Sequence, residues 1–389
     1  MKSPLLIFLV LSCVFATACK KSSVAPSTAA STVVAKGDRK LGLHISEPQN
    51  GFNSAFSTSQ RLAYDSVNLH FFWGVGDFTG TLPGTPLETN TSANCSGSST
   101  YDMSLISTAN SFYPSYDKKI SLTIGTYDGP NKFMPKCGTS LSFDSSTIKT
   151  MFQYLIDNIF SYGSSLELSS LVIGNEIDSH ADFSTCSINP LSQKWSQYKN
   201  FFEAISTYVK SLRPNVKLGI TGTFDGLTSN LKSPCFQELL SSADFLSVTY
   251  YPLNSDFSMK SPTVVSDDFK KIVQMYPGKE IRFQEIGYSS GSSFIGSSSD
   301  SQVTFYKQIF KAWDTYKSQI KYISIVNLHE WSSSTVDGFG ALYNICPGST
   351  CNSFKEYLQT LGLRTYNNDG IDKSAFLAII NEANSRGWK

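Results

Sequence analysis

LVIGNEID, residues 171–178, opens as a run of buried-strand residues and closes on Asn175 and Glu176. IRFQEIGYSS, residues 281–290, follows the same plan, an apolar, β-rich run that ends in Glu285. A carboxyl that follows a buried strand is held at a strand mouth in partly desolvated surroundings, where its pKa can be set for acid, base or nucleophile work. The two glutamates stand 109 residues apart. Only a fold that gathers strand ends can bring them together.

Working outward from these two runs, six more of the same kind appear. In order the eight are LGLHIS (41–46), SVNLHFFW (66–73), ISLTIGTY (120–127), SLVIGNE (170–176), VKLGITGT (216–223), FLSVTYY (245–251), EIRFQEIG (280–287) and YISIVNLHEW (322–331). Each run is continuous rather than alternating, as expected of parallel strands buried on both faces. Segments with apolar residues at helical spacing lie between them, among them 148–159, 195–212 and 303–316. Eight such units over residues 41–389, without a break in composition, predict a single (β/α)8 TIM barrel of the α/β class. At 389 residues and 40% hydrophobic the chain is long enough to fill it. In such barrels the chemistry sits at the C-terminal ends of the strands, which places Glu176 on the fourth strand and Glu285 on the seventh.

At these residues the chain resembles the clan A glycoside hydrolases, retaining enzymes on TIM barrels. The resemblance covers nearly all of 41–389 and rests on Asn175-Glu176 ending strand four and Glu285 ending strand seven. It implies Glu176 as general acid/base, Glu285 as nucleophile and Asn175 as donor to the sugar 2-hydroxyl. It extends to Trp331 after strand eight as a platform for the sugar ring, and to Tyr251 after strand six as an aromatic touching the nucleophile. The tail GLRTYNNDGIDKSAFLAIINEA (362–383) resembles the turn and last helix of such enzymes. SVNLHFFW carries no arginine where several families of the clan keep one. That sets the chain apart from the cellulase and mannanase families, and the family within the clan stays open. The implied reaction is double displacement on a β-glycosidic bond of a poly- or oligosaccharide, with carboxyls roughly 5 Å apart.

The chain carries 27 Phe, 19 Tyr and 5 Trp, more than a core of this size needs, so some rings are expected to stack on a ligand. His44 and Trp73 are expected to join Asn175, Tyr251 and Trp331 in binding sugar. His70, Tyr127, Asp128 and Tyr250 also lie near strand mouths. Strand alternation turns His70 to the face opposite Leu69 and Phe71. Each has a plainer reading as core, and Glu330, beside Trp331, reads more simply as a loop or outer-face charge. NNDGID (367–372) lacks the closing acid of an EF-hand loop and reads as a turn. No P-loop, dinucleotide fingerprint or GxSxG elbow is present. No cofactor is expected. The alternative to an enzyme is a surface lipoprotein that keeps the barrel and binds glycan, or makes host or envelope contacts, without turnover.

A basic start, the apolar stretch 5–14 and the small residues before Cys19 read as a signal peptide over 1–18. Cys19 directly after Ala16-Thr17-Ala18 resembles a bacterial lipobox, which implies lipid on Cys19 and a place in the cell envelope; ordinary cleavage would instead secrete the protein. Residues 19–40, rich in Ser, Ala and Thr, read as a disordered tether. Six cysteines then remain in an exported chain and allow fifteen connectivities, among which the sequence does not choose; the short loop favours Cys346–Cys351, followed by Cys95–Cys137 and Cys186–Cys235. A formal net charge of +1 gives no field to attract nucleic acid or an anionic membrane surface. Carbohydrate is the expected partner, the lipid anchor the one link to a membrane, and a monomer the expected state.

Overall fold

Eight parallel strands close on themselves in the computed structural model, which describes residues 33–74 and 101–389. They are β1 (Lys40–Leu43), β2 (Ser66–Phe72), β3 (Lys119–Gly125), β4 (Leu168–Ile173), β5 (Lys217–Thr223), β6 (Phe245–Tyr250), β7 (Glu280–Ile286) and β8 (Ile320–Ile325). Each pairs in parallel with its neighbour in sequence, and β8 pairs with β1. All eight runs read from the sequence are strands, and the fold is the expected (β/α)8 barrel. The α-helices are α1 (Phe52–Ser59), α2 (Ser104–Phe112), α3 (Ser146–Tyr162), α4 (Gln193–Leu212), α5 (Phe224–Leu227), α6 (Ser233–Leu239), α7 (Val265–Met275), α8 (Ser299–Thr315), α9 (Ser333–Leu342), α10 (Cys351–Gln359) and α11 (Ser374–Ser385). In α3 the buried residues Ile148, Met151, Phe152, Leu155, Ile156 and Ile159 recur at three- and four-residue spacing, one stripe laid against the barrel. Ser145 caps that helix by accepting from the Ile148 amide at 3.3 Å.

Polar side chains pair with one another inside the barrel. Ser121 meets Ser170 at 2.7 Å, Thr221 donates to Ser247 at 2.8 Å, and the Gln284 side chain bonds Asn68 and Thr123. These buried groups form a plug beneath the barrel mouth, and each has its partner within the plug.

Strand period two decides the fate of β2. It sends Asn68 into the plug and His70 towards the mouth, and turns Phe71 and Trp73 outward to the helices. Trp73 is therefore a correction to the expected sugar-binding set. It is fully buried, edge-on to Phe152 of α3 at 4.9 Å and stacked near Phe201 of α4 at 6.2 Å, and its indole donates to the Tyr101 hydroxyl at 3.2 Å. Trp73→Ala is expected to lower unfolding free energy by about 3–5 kcal/mol. Urea denaturation measures that loss, and KM of the folded variant should stay at the wild-type value.

Two further boundaries move. The expected tether reached residue 40, yet Val34–Arg39 is docked on the barrel's outer wall. Arg39 is buried over Trp313 and Trp388, donates to Asp314 at 2.7 Å and, through Nη2, to the carbonyls of Val34 and Ala35. Strand eight was expected to run to Trp331 but ends at Ile325. The following loop is anchored instead by Ser46, whose hydroxyl donates to the His329 carbonyl at 2.6 Å, and by Arg364, which donates to His329 at 3.1 Å. Arg364 also bonds the Asp369 and Gly370 carbonyls. The NNDGID turn thus serves as a brace for that loop. The disulfides Cys186–Cys235 and Cys346–Cys351 are formed. The signal peptide, Cys19 and Cys95 lie outside the described residues.

Candidate active site

Gly174 directly follows β4 with φ of 86°, a conformation glycine adopts freely. A Cβ there would come within 2.3 Å of the Tyr198 hydroxyl, which is fixed by bonds to Thr126 and the Ile173 carbonyl. Asn175 follows, its amide bonded to the Tyr127 carbonyl at 3.1 Å. Glu176 takes the left-handed region at φ of 45°, strain that a non-glycine residue keeps only where the surroundings hold it. This double turn swings the Glu176 carboxyl across the barrel mouth to β6, where Oε1 accepts from the Thr249 hydroxyl at 2.6 Å.

Glu285 reaches the same mouth by a different device. Simple alternation would turn it away from the interior, because its neighbour Gln284 already points into the plug. The β6–β7 pairing slips here: Val248 lies opposite Phe283, and Thr249 opposite Glu285. This bulge lets consecutive residues face inward. Glu285 Oε2 accepts from the Tyr251 hydroxyl at 2.8 Å.

A third carboxyl joins them. Asp128, in the two-residue hairpin strand Tyr127–Asp128 after β3, is buried and accepts from Asn175 Nδ2 and from the Tyr343 hydroxyl, both at 2.8 Å. Burial pushes all three carboxyls up. Glu176 is held well above the usual glutamate range by burial and then by the charges of Asp128 and Glu285. Glu285 is raised to about 7, burial outweighing the Tyr251 hydrogen bond, and Asp128 to about 6 for the same reason. Three acids in one water-poor site do not ionise together near neutrality. The proton is held longest by Glu176, whose neighbours carry the most charge, while Asp128 and then Glu285 give up theirs before it. The site therefore sets a carboxyl that keeps its proton to higher pH beside one that ionises near 7, an ordering suited to acid-assisted displacement.

The carboxyls open onto a cavity of about 570 Å³. Of the expected residues, Asn175, Glu176, Glu285, Tyr251, His44 and Trp331 line it, and so do Asp128 and His70. His44 accepts from Asn68 through Nε2 and is lowered to about 3 by burial and by His70, so it is neutral at physiological pH. His70 Nε2 is buried with no hydrogen-bond partner among the described residues, which leaves it for a ligand hydroxyl. Three other candidates lie elsewhere. Tyr127 bonds Asp182 at 2.9 Å, Tyr250 bonds Asp268 at 2.7 Å, and Glu330 pairs with Lys373. Among the described residues no group of three His, Cys, Asp or Glu side chains is placed to hold a metal ion.

Tyr343 and Tyr357 were not foreseen. Both rings line the cavity, and both hydroxyls are pushed up by burial and by the carboxylate charges. Neither sits near a strand end in sequence. They reach the cavity through the α9–α10 segment, which periodicity alone reads as ordinary helix.

No protein-family model matches the chain, and no curated protein matches it. Solved structures do. A GH53 catalytic domain from Ignisphaera aggregans superposes with TM-score 0.58 at 15% identity, over 88% of this chain and 95% of that one. A GH5_18 protein from Bifidobacterium longum subsp. longum, in complex with Manb1-4GlcNAc, gives 0.61 at 10% identity, over 90% and 79%. A GH10 endoxylanase from a sugarcane soil metagenome gives 0.56 at 10% identity, over 89% and 98%. The chain shares the barrel fold of these clan A glycoside hydrolase catalytic domains.

Proposed function

We propose that the protein is a retaining glycoside hydrolase that cleaves a β-glycosidic bond by double displacement. The observation that carries this reading is the pair Glu176 and Glu285, delivered to one cavity from the ends of β4 and β7, with Glu176 raised by burial and by the charges of Asp128 and Glu285 above a Glu285 raised to about 7. Glu285, ionised and oriented by the Tyr251 hydroxyl, attacks the anomeric carbon. Glu176 protonates the departing oxygen. The resulting glycosyl ester is hydrolysed when Glu176, now a carboxylate, takes a proton from water, and Glu285 leaves as carboxylate. Asn175 is fixed by Asp128 through one Nδ2 hydrogen, so the other is free to donate to a sugar hydroxyl. Trp331 lies against Phe339 at 5.2 Å and presents its ring as a platform. The protein is exported, on a lipid-bearing Cys19 or as a secreted chain.

Screening purified protein against β-glucans, galactans, mannans, xylans and simple β-glycosides tests the activity. Proton NMR of the first product then tests retention: the β-anomer is expected first, and an α-anomer would overturn double displacement.

Asp128 gives this reading a pH signature. Activity requires Glu285 without its proton and Glu176 with one, so kcat/KM rises through the Glu285 ionisation near 7 and falls through that of Glu176 above it. The charge on Asp128 raises both groups. In Asp128→Asn both limbs of the bell are expected to move to lower pH, by on the order of one unit, with the alkaline limb moving further.

A further inference from the structure

The cavity lining is of two kinds. Asp128, Asn175, Glu176, Glu285, His44 and His70 bring its strongly polar groups. A second, apolar wall is formed by Leu253 and Phe257 from the loop after β6, and by Leu342, Ile345, Phe354 and Leu358 of the α9–α10 segment. That second wall is continuous. Phe257 meets Phe354 edge-on at 5.0 Å, Phe354 lies 6.3 Å from Tyr343, and Tyr343 stacks on Phe339 at 6.0 Å, next to Trp331. It is also firmly built. Cys346–Cys351 closes the turn between α9 and α10. Phe257 holds φ of 63°, a left-handed conformation that a bulky side chain keeps only when held. The turn around it does that holding, through Phe257 N to the Asn254 carbonyl at 3.0 Å and Asn254 N to the Ser258 carbonyl at 2.8 Å.

A second sugar is a poor occupant for such a wall. Its aliphatic members, Leu253, Leu342, Ile345 and Leu358, offer a pyranose neither a flat π face nor a hydrogen bond, and a hydroxyl pressed against them loses its water partners without replacement. Two of the hydroxyls nearby are committed inward, Tyr343 to Asp128 and Tyr251 to Glu285. Hydrocarbon, by contrast, gains from every methylene it buries there. Because both kinds of lining belong to one cavity, a group against the apolar wall is carried by the sugar held among the carboxyls.

We infer that the substrate is a β-glycoside with an apolar aglycone: one sugar ring among the carboxyls, carrying a hydrocarbon group that lies along Phe257, Leu342, Ile345 and Phe354. This rests on the glycosidase reading for its chemistry but makes a separate claim about binding. Methyl, hexyl and octyl β-glycosides of glucose, galactose and mannose have leaving groups of nearly equal basicity, so the series reads burial of the chain alone. For the sugar accepted, kcat/KM is expected to rise roughly three- to fourfold per methylene until the wall is covered, chiefly through KM. Octyl glycosides should also outrun the corresponding disaccharides. Ile345→Asn should shrink the octyl-to-methyl ratio by tenfold or more. A flat series, or a disaccharide preferred to the octyl glycoside, would overturn the inference while leaving the enzyme a glycosidase. Calorimetric binding of octyl and methyl glycosides to full-length Glu285→Gln separates the remaining case. If no glycoside is hydrolysed but octyl binds tighter than methyl and Ile345→Asn abolishes the difference, the catalytic reading falls and the apolar subsite stands. If chain length does not alter binding, the subsite falls.

Discussion

Glu285→Gln is expected to lower kcat/KM on the order of 10⁴-fold or more, because an amide cannot form the glycosyl ester that carries the reaction. The same substitution should make the protein more stable. Glu285 has its folded pKa raised from 4.5 to about 7, so the folded state binds this proton more tightly than the unfolded one. Its contribution is fully present below about pH 4.5 and is lost as pH rises through about 7. Glutamine never ionises. Above pH 7.5 the variant should therefore exceed the wild type by roughly 1–3 kcal/mol, discounted for the water that reaches the cavity, and near pH 4 the two should converge. Thermal melts at the two pH values check this. A carboxyl kept only for packing or an ion pair would show the opposite sign, because its loss would leave partners unpaired.

Glu176→Gln is expected to produce a loss that depends on the leaving group. An alkyl glycoside needs a proton on its departing oxygen, and without the acid its kcat/KM should fall by roughly 10²–10⁴-fold. A dinitrophenyl glycoside departs as a stable phenolate and needs no such help. Its first step should be nearly unaffected, and the slow step becomes breakdown of the ester, where Glu176 no longer activates water. A burst of phenolate followed by a slow steady rate is the expected trace. The alkaline limb of the pH profile should vanish as well, since the group that titrates there is gone. Equal losses on both substrates would place Glu176 outside the proton transfer.

These two residues were visible in the sequence because each closes an apolar run, and a barrel of eight such runs has one end where they can meet. How they meet was not visible. Glu176 depends on two positive-φ residues, Gly174 and Glu176, on either side of Asn175, and Glu285 on a register slip against β6. Both are properties of paired backbone that one strand's sequence does not encode. Trp73 was misread although the means to place it were available. The alternation that sets His70 opposite Leu69 and Phe71 also sets Trp73 on their side, among the helices. The apolar wall was hidden for a different reason. Phe354 and Leu358 recur at helical spacing, and such a stripe reads as core until the fold shows a cavity in front of it.

The claim at the centre of this account is that Glu285 forms a covalent bond to sugar. A 2-deoxy-2-fluoro glycoside of the accepted sugar, with dinitrophenolate as leaving group, slows ester breakdown and traps that species. Mass spectrometry of the intact protein should then show one added fluoroglycosyl unit, and peptide mapping should place it on Glu285. Inactivation with no change in mass, or an adduct on Asp128 or Glu176 instead, would contradict it.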